Sequence, residues 1–313
     1  MASEKDFDIL VVGELNIDLI LDGIQKAPEL GKEQRADEMT LTMGSSSAIF
    51  AVNTASLGSD VAFCGKAGDD SFGNFMIRSL EKYGVNTNSI IIDPSSKTGA
   101  TIIFHYQNDR MMVTHPGAME KMTVNEVPEM LMERSRHLHV SAIFFQPQIK
   151  NHLSELFLKA KKAGMTTSLD LQWDPDEKWN LDLQKILPLT DFFMPNETEL
   201  LLITKSDTLA GALGKLDEFN STIVVKRGVN GALLLQNGKT FNSAAYKVPG
   251  FVDAVGAGDS FNAGFIHAYL SGADITECLR LGNLAAAVST TVAGGTGAIQ
   301  SYEQLFEMEK TFN

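Results

Sequence analysis

The sequence predicts an α/β protein: a doubly wound, mostly parallel sheet with helices on both faces. Three observations predict it. Short β-branched or aromatic runs alternate with helical segments along the chain. Several of those runs are apolar on both faces, as a sheet covered from both sides requires. No internal repeat, low-complexity tract or proline-rich linker breaks the rhythm.

In chain order, Ile9–Val12 reads as the first strand and Ser46–Leu57 as the first helix. Strand Val61–Cys64 and helix Asp70–Lys82 follow. Thr101–His105 and Ile143–Phe145 are predicted strands, on their bulky apolar residues, and Asn151–Ala163 is a predicted helix. Ile223–Val225 is the last strand expected. Helices Ser260–Leu270 and Thr276–Val292 come after it, the first with Phe261, Phe265, Ile266 and Tyr269 on one face. Two stretches depart from this pattern. Leu15–Thr42 and Thr98–Thr114 are strand-rich and polar, without the helix that a parallel crossover needs. They are either long loops or a small second sheet acting as a lid.

A chain of 313 residues corresponds to about two domains or one large α/β unit. Its hydrophobic share of 44% is that of a globular protein and excludes long disorder. The net charge of −13 argues against nucleic acid or an anionic membrane as partner. Two cysteines, Cys64 and Cys278, are too few for a disulfide framework and suit a reducing compartment. No apolar run reaches the roughly 18 residues a membrane span needs, and the charged start has no signal-peptide core. A cytoplasmic location is expected.

The most informative segment is Asp253-Ala254-Val255-Gly256-Ala257-Gly258-Asp259-Ser260-Phe261. Its small residues let the backbone approach a ligand. It opens a helix, whose free N–H groups and dipole suit an anion. Asp259 lies in the middle of that turn, where a carboxylate repels phosphate. It makes sense there as the group that takes a proton from an attacking hydroxyl. Two other readings stay open: Asp259 caps a helix after a tight turn, or the run is a dinucleotide fingerprint. The second wants Gly where Phe261 stands, and the segment comes late in the chain. No Walker A motif occurs.

The run Asp253–Asp259 resembles the D-T-x-G-A-G-D signature of the ribokinase (PfkB) family of carbohydrate kinases. Further landmarks follow in that family's order. Gly13–Asp18 is similar to its first-strand G-x-x-x-x-D segment, and Gly65–Gly73 to its G-x-D-x-F-G loop. Thr98–Thr101 resembles a lid strand, Asn196–Glu199 the N-x-x-E motif, and Val224–Gly231 the K-x-G-x-x-G nucleotide loop. The resemblance implies a single ribokinase-like domain over 1–313, with the lid formed by about 15–42 and 98–114. It also implies phosphoryl transfer from ATP to a hydroxyl of a sugar, polyol or nucleoside, primary where one is available.

The same resemblance implies roles. Asp259 becomes the catalytic base, and the N–H groups of Gly256, Ala257 and Gly258 an anion hole. Asn196 and Glu199 organise Mg²⁺ through water. Lys226, Gly228 and Gly231 flank the nucleotide, with Asn283 on the adenine side. Asp253 and the Val255 carbonyl hold a monovalent cation, K⁺, with Gly294–Gly297 as the second loop. Asn16, Asp18, Gly44 and Ser45 line the acceptor pocket, and lid strands pair in a homodimer.

Departures from the pattern concern the acceptor. Ala254 stands where the signature has Thr. Ser45 and Ile49 replace the second Gly and the Asn of the G-G-x-x-x-N segment, which removes an amide. Leu171-Gln172-Trp173-Asp174 lacks the Asn and then Arg that many fructokinase- and ketodeoxygluconate-kinase-like members carry after Asp170. This removes an anchor for a carboxylate-bearing sugar, although Arg110 in the lid offers another cation. A neutral polyhydroxy acceptor other than ribose is therefore expected. His137 and His139 share a strand face at a spacing that permits a metal, but no further ligand is evident, and structural histidines are expected. Trp173 and Trp179 pack or stack on a ring. Two competing readings are a catalytically silent, sugar- or nucleotide-sensing relative and a nicotinamide-dependent oxidoreductase. The latter wants an early G-x-G-x-x-G that the first strand does not supply.

Overall fold

Alternation inside the first strand decides the layering. In β1 (Phe7–Val12), Ile9 and Val11 belong to one hydrophobic layer, Leu10 and Val12 to another, and all four are fully buried. A strand buried on both faces needs helices on both sides. The computed structural model describes residues 5–26, 28–106 and 109–312. Ala27, Gln107 and Asn108, inside the two predicted lid stretches, lie outside the described residues, as do residues 1–4 and Asn313.

After β1 come β2 (Asn16–Asp22), β3 (Glu38–Met43), α1 (Ser46–Ser56), β4 (Val61–Gly68) and α2 (Ser71–Lys82). Then follow β5 (Asn86–Asp93), β6 (Gly99–Tyr106), β7 (Asp109–His115), α3 (Glu129–Glu133) and β8 (Ser135–Val140). The middle holds α4 (Pro147–Asn151), α5 (Leu153–Lys162), β9 (Thr166–Leu169), α6 (Leu183–Ile186) and β10 (Phe192–Phe193). Next are α7 (Glu197–Thr204), α8 (Leu209–Leu216), β11 (Thr222–Lys226), β12 (Ala232–Gln236) and β13 (Lys239–Ser243). Helices α9 (Ala257–Leu270), α10 (Ile275–Ser289) and α11 (Tyr302–Glu309) end the chain.

The large sheet runs β13-β12-β11-β10-β9-β8-β1-β4-β5. From β5 to β11 every pairing is parallel, and only β12 and β13 are antiparallel. Helices α1, α9 and α10 supply one covering layer; α5, α7 and α8 supply the other. The chain leaves β1 toward β4 and β5, then returns to β8 on the other side. That reversal opens a crevice beyond the carboxyl ends of β1 and β8, where ligands bind in open α/β sheets.

The two polar stretches form a second sheet of four strands, β3-β2-β6-β7. Its faces differ in kind. On one, Asp18 lies opposite Thr42 and Thr101, and Thr101 opposite Thr114. On the other, Leu19 lies opposite Leu41 and Ile102, and Ile102 opposite Val113. Thr98 fastens β6 to the body: its hydroxyl donates to Asp70 Oδ1 at 2.7 Å, its N–H to Asp70 Oδ2 at 2.9 Å. The Gly65–Gly73 motif is thereby a clasp, since Asp70 also caps α2 through the Gly73 N–H at 2.9 Å.

Some elements differ from the sequence reading. Ile143–Phe145 is one 3₁₀ turn, not a strand, because Ala142 in left-handed backbone (φ 50°) turns the chain off the sheet after β8. An apolar triplet buried in a turn carries the same pattern as one buried in a sheet. Thr101–His105 is a strand, but of the second sheet. The helix read as Asn151–Ala163 is broken at His152 into α4 and α5. Helix α9 begins three residues before Ser260, inside the glycine motif.

Candidate active site

The crevice is lined by residues that follow the carboxyl ends of β1, β9, β10 and β11, and by the first turns of α1, α7 and α9. Gly256 adopts left-handed backbone (φ 71°) as the N-cap of α9, which glycine accepts without strain. A Cβ there would lie 2.7 Å from the Gly295 Cα and 3.1 Å from Ile49 Cγ2. Ile49 therefore packs under the glycine turn. The Ala257 N–H is engaged inside that turn, donating to the Ala254 carbonyl at 3.2 Å.

Asp259 is buried in the first turn of α9. Burial, then the Asp170 charge, push its carboxyl up to about 7; Lys226 and hydrogen bonds from Ser46 and Gln172 oppose this. The Gln172 amide donates to Oδ1 at 3.2 Å. A base poised near neutrality suits proton transfer.

Lys226 does not reach outward. Its ammonium turns under α9, 2.6 Å from Asp170 Oδ2 and 3.5 Å from where a Cβ on Gly258 would stand. Burial works against its charge, but Asp170 and Glu199 outweigh it and hold the ammonium above its usual value. Asn262 Nδ2 donates to the same Asp170 oxygen at 2.6 Å, while the buried Oδ1 of Asp170 has no protein partner. The other residues of the loop separate from Lys226. Gly228 opens an exposed 3₁₀ turn, Gly228–Asn230; Gly231, which follows it, is buried, and a Cβ on it would meet the Ser243 carbonyl at 2.0 Å. Asn283 Nδ2 donates to that carbonyl at 3.0 Å and to Ala244 O at 3.2 Å, so Gly231 and Asn283 meet at one backbone segment.

Asn196 and Glu199 form a capping box on α7. The Glu199 N–H donates to Asn196 Oδ1 at 2.8 Å, and the Asn196 N–H to Glu199 Oε2 at 2.9 Å. Burial and Asp170 push the Glu199 carboxyl up to about 7. Asp253 joins two loops, accepting from Val255 N–H at 3.0 Å and from Gly294 N–H at 3.2 Å. Asn53 adds a second tie, donating to Ser260 Oγ at 2.8 Å and to the Gly295 carbonyl at 3.0 Å.

The residues expected to bind the acceptor meet where β2 starts and β3 ends. Asn16 Nδ2 donates to Asp18 Oδ1 at 3.1 Å and to Thr101 Oγ1 at 3.2 Å. Burial lifts Asp18 to about 6, against Thr101, the Arg110 charge and Asn16. Gly44 must lack a side chain, since a Cβ would fall 2.2 Å from Asp18 Oδ1. Ser45 has a positive φ of 71°, a backbone that favours glycine, and its hydroxyl caps α1 through Ala48 N–H at 3.0 Å.

Sequence reasoning missed Glu14. It is buried at the end of β1, where burial, partly offset by Ser47, pushes it up to about 7, and the Asp259 charge adds to this. The Ser47 hydroxyl donates to Oε2 at 2.5 Å, and Gly13 leaves the room, for a Cβ there would overlap that hydroxyl at 1.9 Å. A charged residue between Ile9–Val12 and Leu15 was the available signal. His137 and His139 lie apart from the site in the core, held by Thr166 Oγ1 and Ser168 Oγ at 2.7 Å. Trp179 is buried edge-on to Phe144, while Trp173 is exposed.

Residues 6–301 match the family described as pfkB family carbohydrate kinase. The chain belongs to that family. It is accordingly a phosphotransferase with an alcohol group as acceptor, and the nicotinamide oxidoreductase reading falls away. An uncharacterized sugar kinase of Archaeoglobus fulgidus is 30% identical over 74% of this chain and 91% of its own. The deoxyribokinase of Salmonella typhi is 29% identical over 96% of this chain and 98% of its own. The ribokinase of Thermotoga maritima has the same fold at TM-score 0.85 and 26% identity, covering 97% of this chain and 99% of its own. No helix among the described residues is long and apolar enough to cross a membrane.

Proposed function

We propose that this carbohydrate kinase transfers the γ-phosphoryl group of ATP to a hydroxyl, primary where one is available, of a neutral polyhydroxy acceptor such as a hexose, inositol or nucleoside. The observation that carries the reading is the buried carboxylate of Asp259 in the first turn of α9, directly after a glycine turn. The acceptor oxygen bonds to phosphorus as the bond to the β-phosphate oxygen breaks. Its proton passes to Asp259, and ADP leaves. With the Ala257 N–H engaged inside the turn, the N–H groups of Gly256 and Gly258 are the ones assigned to the developing charge. Gly44 joins the halves of the site: it touches Asp18 and Asn16, and two residues on Ser46 bonds Asp259.

The donor set fits Mg²⁺, because Asp170 and Glu199 are hard oxygen ligands and Asp170 Oδ1 lacks a protein partner. Asn196, Glu199 and Asp170 would hold it through water; when bound, it neutralises phosphate charge. The adenine side is assigned to Gly228, Gly231 and Asn283. Lys226, expected beside the nucleotide, is reassigned to the interior on the strength of its pair with Asp170. K⁺ belongs by the Val255 carbonyl, where Asp253 draws the Gly294 loop close.

Asp18 and Asn16 grip hydroxyls, with Thr101 behind them. Ile49 in place of an amide removes one polar contact, which also suits a deoxygenated sugar of the kind named for the Salmonella relative. The second sheet acts as a lid. Its far face carries exposed Met39, Leu41, Ile102, Met111 and Val113. An apolar face of this kind marks a partner surface, and a second copy of the chain is the assigned occupant. Buried, unpaired Cys64 and Cys278 accord with a cytoplasmic enzyme.

An ADP-release screen over ribose, deoxyribose, fructose, ketodeoxygluconate, inositols and nucleosides tests the reading. A good acceptor should exceed ribose by about ten-fold or more in kcat/KM, the worth of one unpaired buried polar group. Ribose as best acceptor, or an acidic sugar above every neutral one, would overturn it.

A further inference from the structure

We infer that Gln172 is a positioning residue for phosphoryl transfer, its amide holding one oxygen of Asp259 so that the other is presented to the acceptor hydroxyl. This rests on Asp259 being the base. A carboxylate at a helix start can swing about its terminal torsion, and only one of its oxygens has to meet the proton. The Gln172 amide reaches Oδ1 at 3.2 Å, and an amide nitrogen only donates, so the oxygen it holds stays an acceptor and the transferred proton goes to the other one.

The backbone is arranged to deliver that amide. Gln172 lies at φ 63°, a left-handed conformation that a glutamine rarely adopts. Two more such residues follow, Glu177 at 53° and Trp179 at 49°. Backbone of this kind persists only where its surroundings over-determine it. Here Asp174 does so, accepting from Asp176 N–H at 3.0 Å and Trp179 N–H at 2.7 Å. Trp179 is then wedged edge-on between Phe144 and Trp173, with ring centroids at 5.5 and 5.3 Å. Leu171, fully buried, anchors the other end. The segment 171–179 is thus a stiff arm from the end of β9 to the base. Asn in place of Gln tolerates the left-handed backbone but is one methylene, about 1.5 Å, too short.

The test uses the full-length protein with Mg·ATP and the best acceptor of the screen. Gln172→Leu should lower kcat about 10–100-fold, the scale of a misplaced catalytic group, with both KM values within about two-fold. Gln172→Asn should fall as well. In an Asp259→Asn background, Gln172→Leu should have no further effect, because no base is left to position. The chain's two tryptophans, Trp173 and Trp179, both lie in the arm, so their emission reports its conformation. It should be unchanged in Gln172→Leu. If that variant is altered or fails to fold, Asp174→Ala carries the test: it frees the arm without touching the base, and should shift emission and lower kcat alike. Full kcat in Gln172→Leu or Gln172→Asn, a raised KM at unchanged kcat, or an equal loss in the Asp259→Asn background would overturn the inference. Wild-type turnover in Asp259→Asn alone would instead remove the base assignment beneath it.

Discussion

At the scale of single residues, Asp259 is the proposed base, and Asp170 is held in a buried ion pair with Lys226. Asp259→Asn keeps the shape of the side chain but cannot take a proton. Turnover should fall by about 10²–10⁴-fold, the usual worth of a general base, while ATP affinity, measured by titration, stays within a few-fold. Lys226→Met makes the contrast. It leaves Asp170, fully buried, with a charge that only Asn262 contacts. Removing one partner of a buried ion pair destabilises by about 3–5 kcal/mol. The midpoint of urea unfolding should drop accordingly, and Lys226→Met with Asp170→Asn should recover much of it. A single variant as stable as wild type would show that the pair contributes nothing.

At the scale of elements, the second sheet has two faces of different chemistry. Asp18, Thr42, Thr101 and Thr114 share the polar face. Hydrogen exchange in β2 and β6 should slow when acceptor binds, as expected of a lid closing and excluding water. Unchanged protection with acceptor demonstrably bound would count against closure. On the other face Val113→Lys places a charge in the exposed apolar row. Light scattering should find a dimer in wild type and a monomer in the variant; a monomeric wild type would remove the second copy. The elements most legible in the sequence were those whose pattern is local. The glycine turn declares itself by composition, and β1, β4 and α2 by their periods. Strand β10 has two residues, Phe192–Phe193, too few to show a period. The Asp170–Lys226 pair joins positions 56 apart, and no spacing rule connects them. The side-chain direction of Lys226 was illegible for that reason: its motif names a loop, while its partner Asp170 follows β9, a strand distant in sequence.

At the scale of the whole molecule, the site concentrates proton-binding groups that fold with raised affinity. Burial holds Glu14, Glu199 and Asp259 up at about 7 and Asp18 at about 6. Between about pH 4 and 7 these carboxyls keep protons that the unfolded chain has already released, so stability falls as pH rises through that window. Burial also keeps His137 and His139 neutral, well below the usual imidazole range. Their effect has the opposite sign, for the unfolded chain charges them below about pH 6.5 and the folded chain does not. The two sets oppose each other in mild acid. Above about pH 6.5 the histidine effect is nearly complete, and the carboxyls decide. The growing negative charge of a chain already at −13 adds to the same trend. The ligand-free protein should therefore melt at a lower temperature at pH 8 than at pH 6. Glu14→Gln, which removes one raised carboxyl that lies outside the proposed transfer step, should narrow that gap. Calorimetry at the two pH values measures both. An equal or higher melting temperature at pH 8 would mean that the site ionises as readily folded as unfolded. Asp259 would then have no poised proton affinity with which to serve as base.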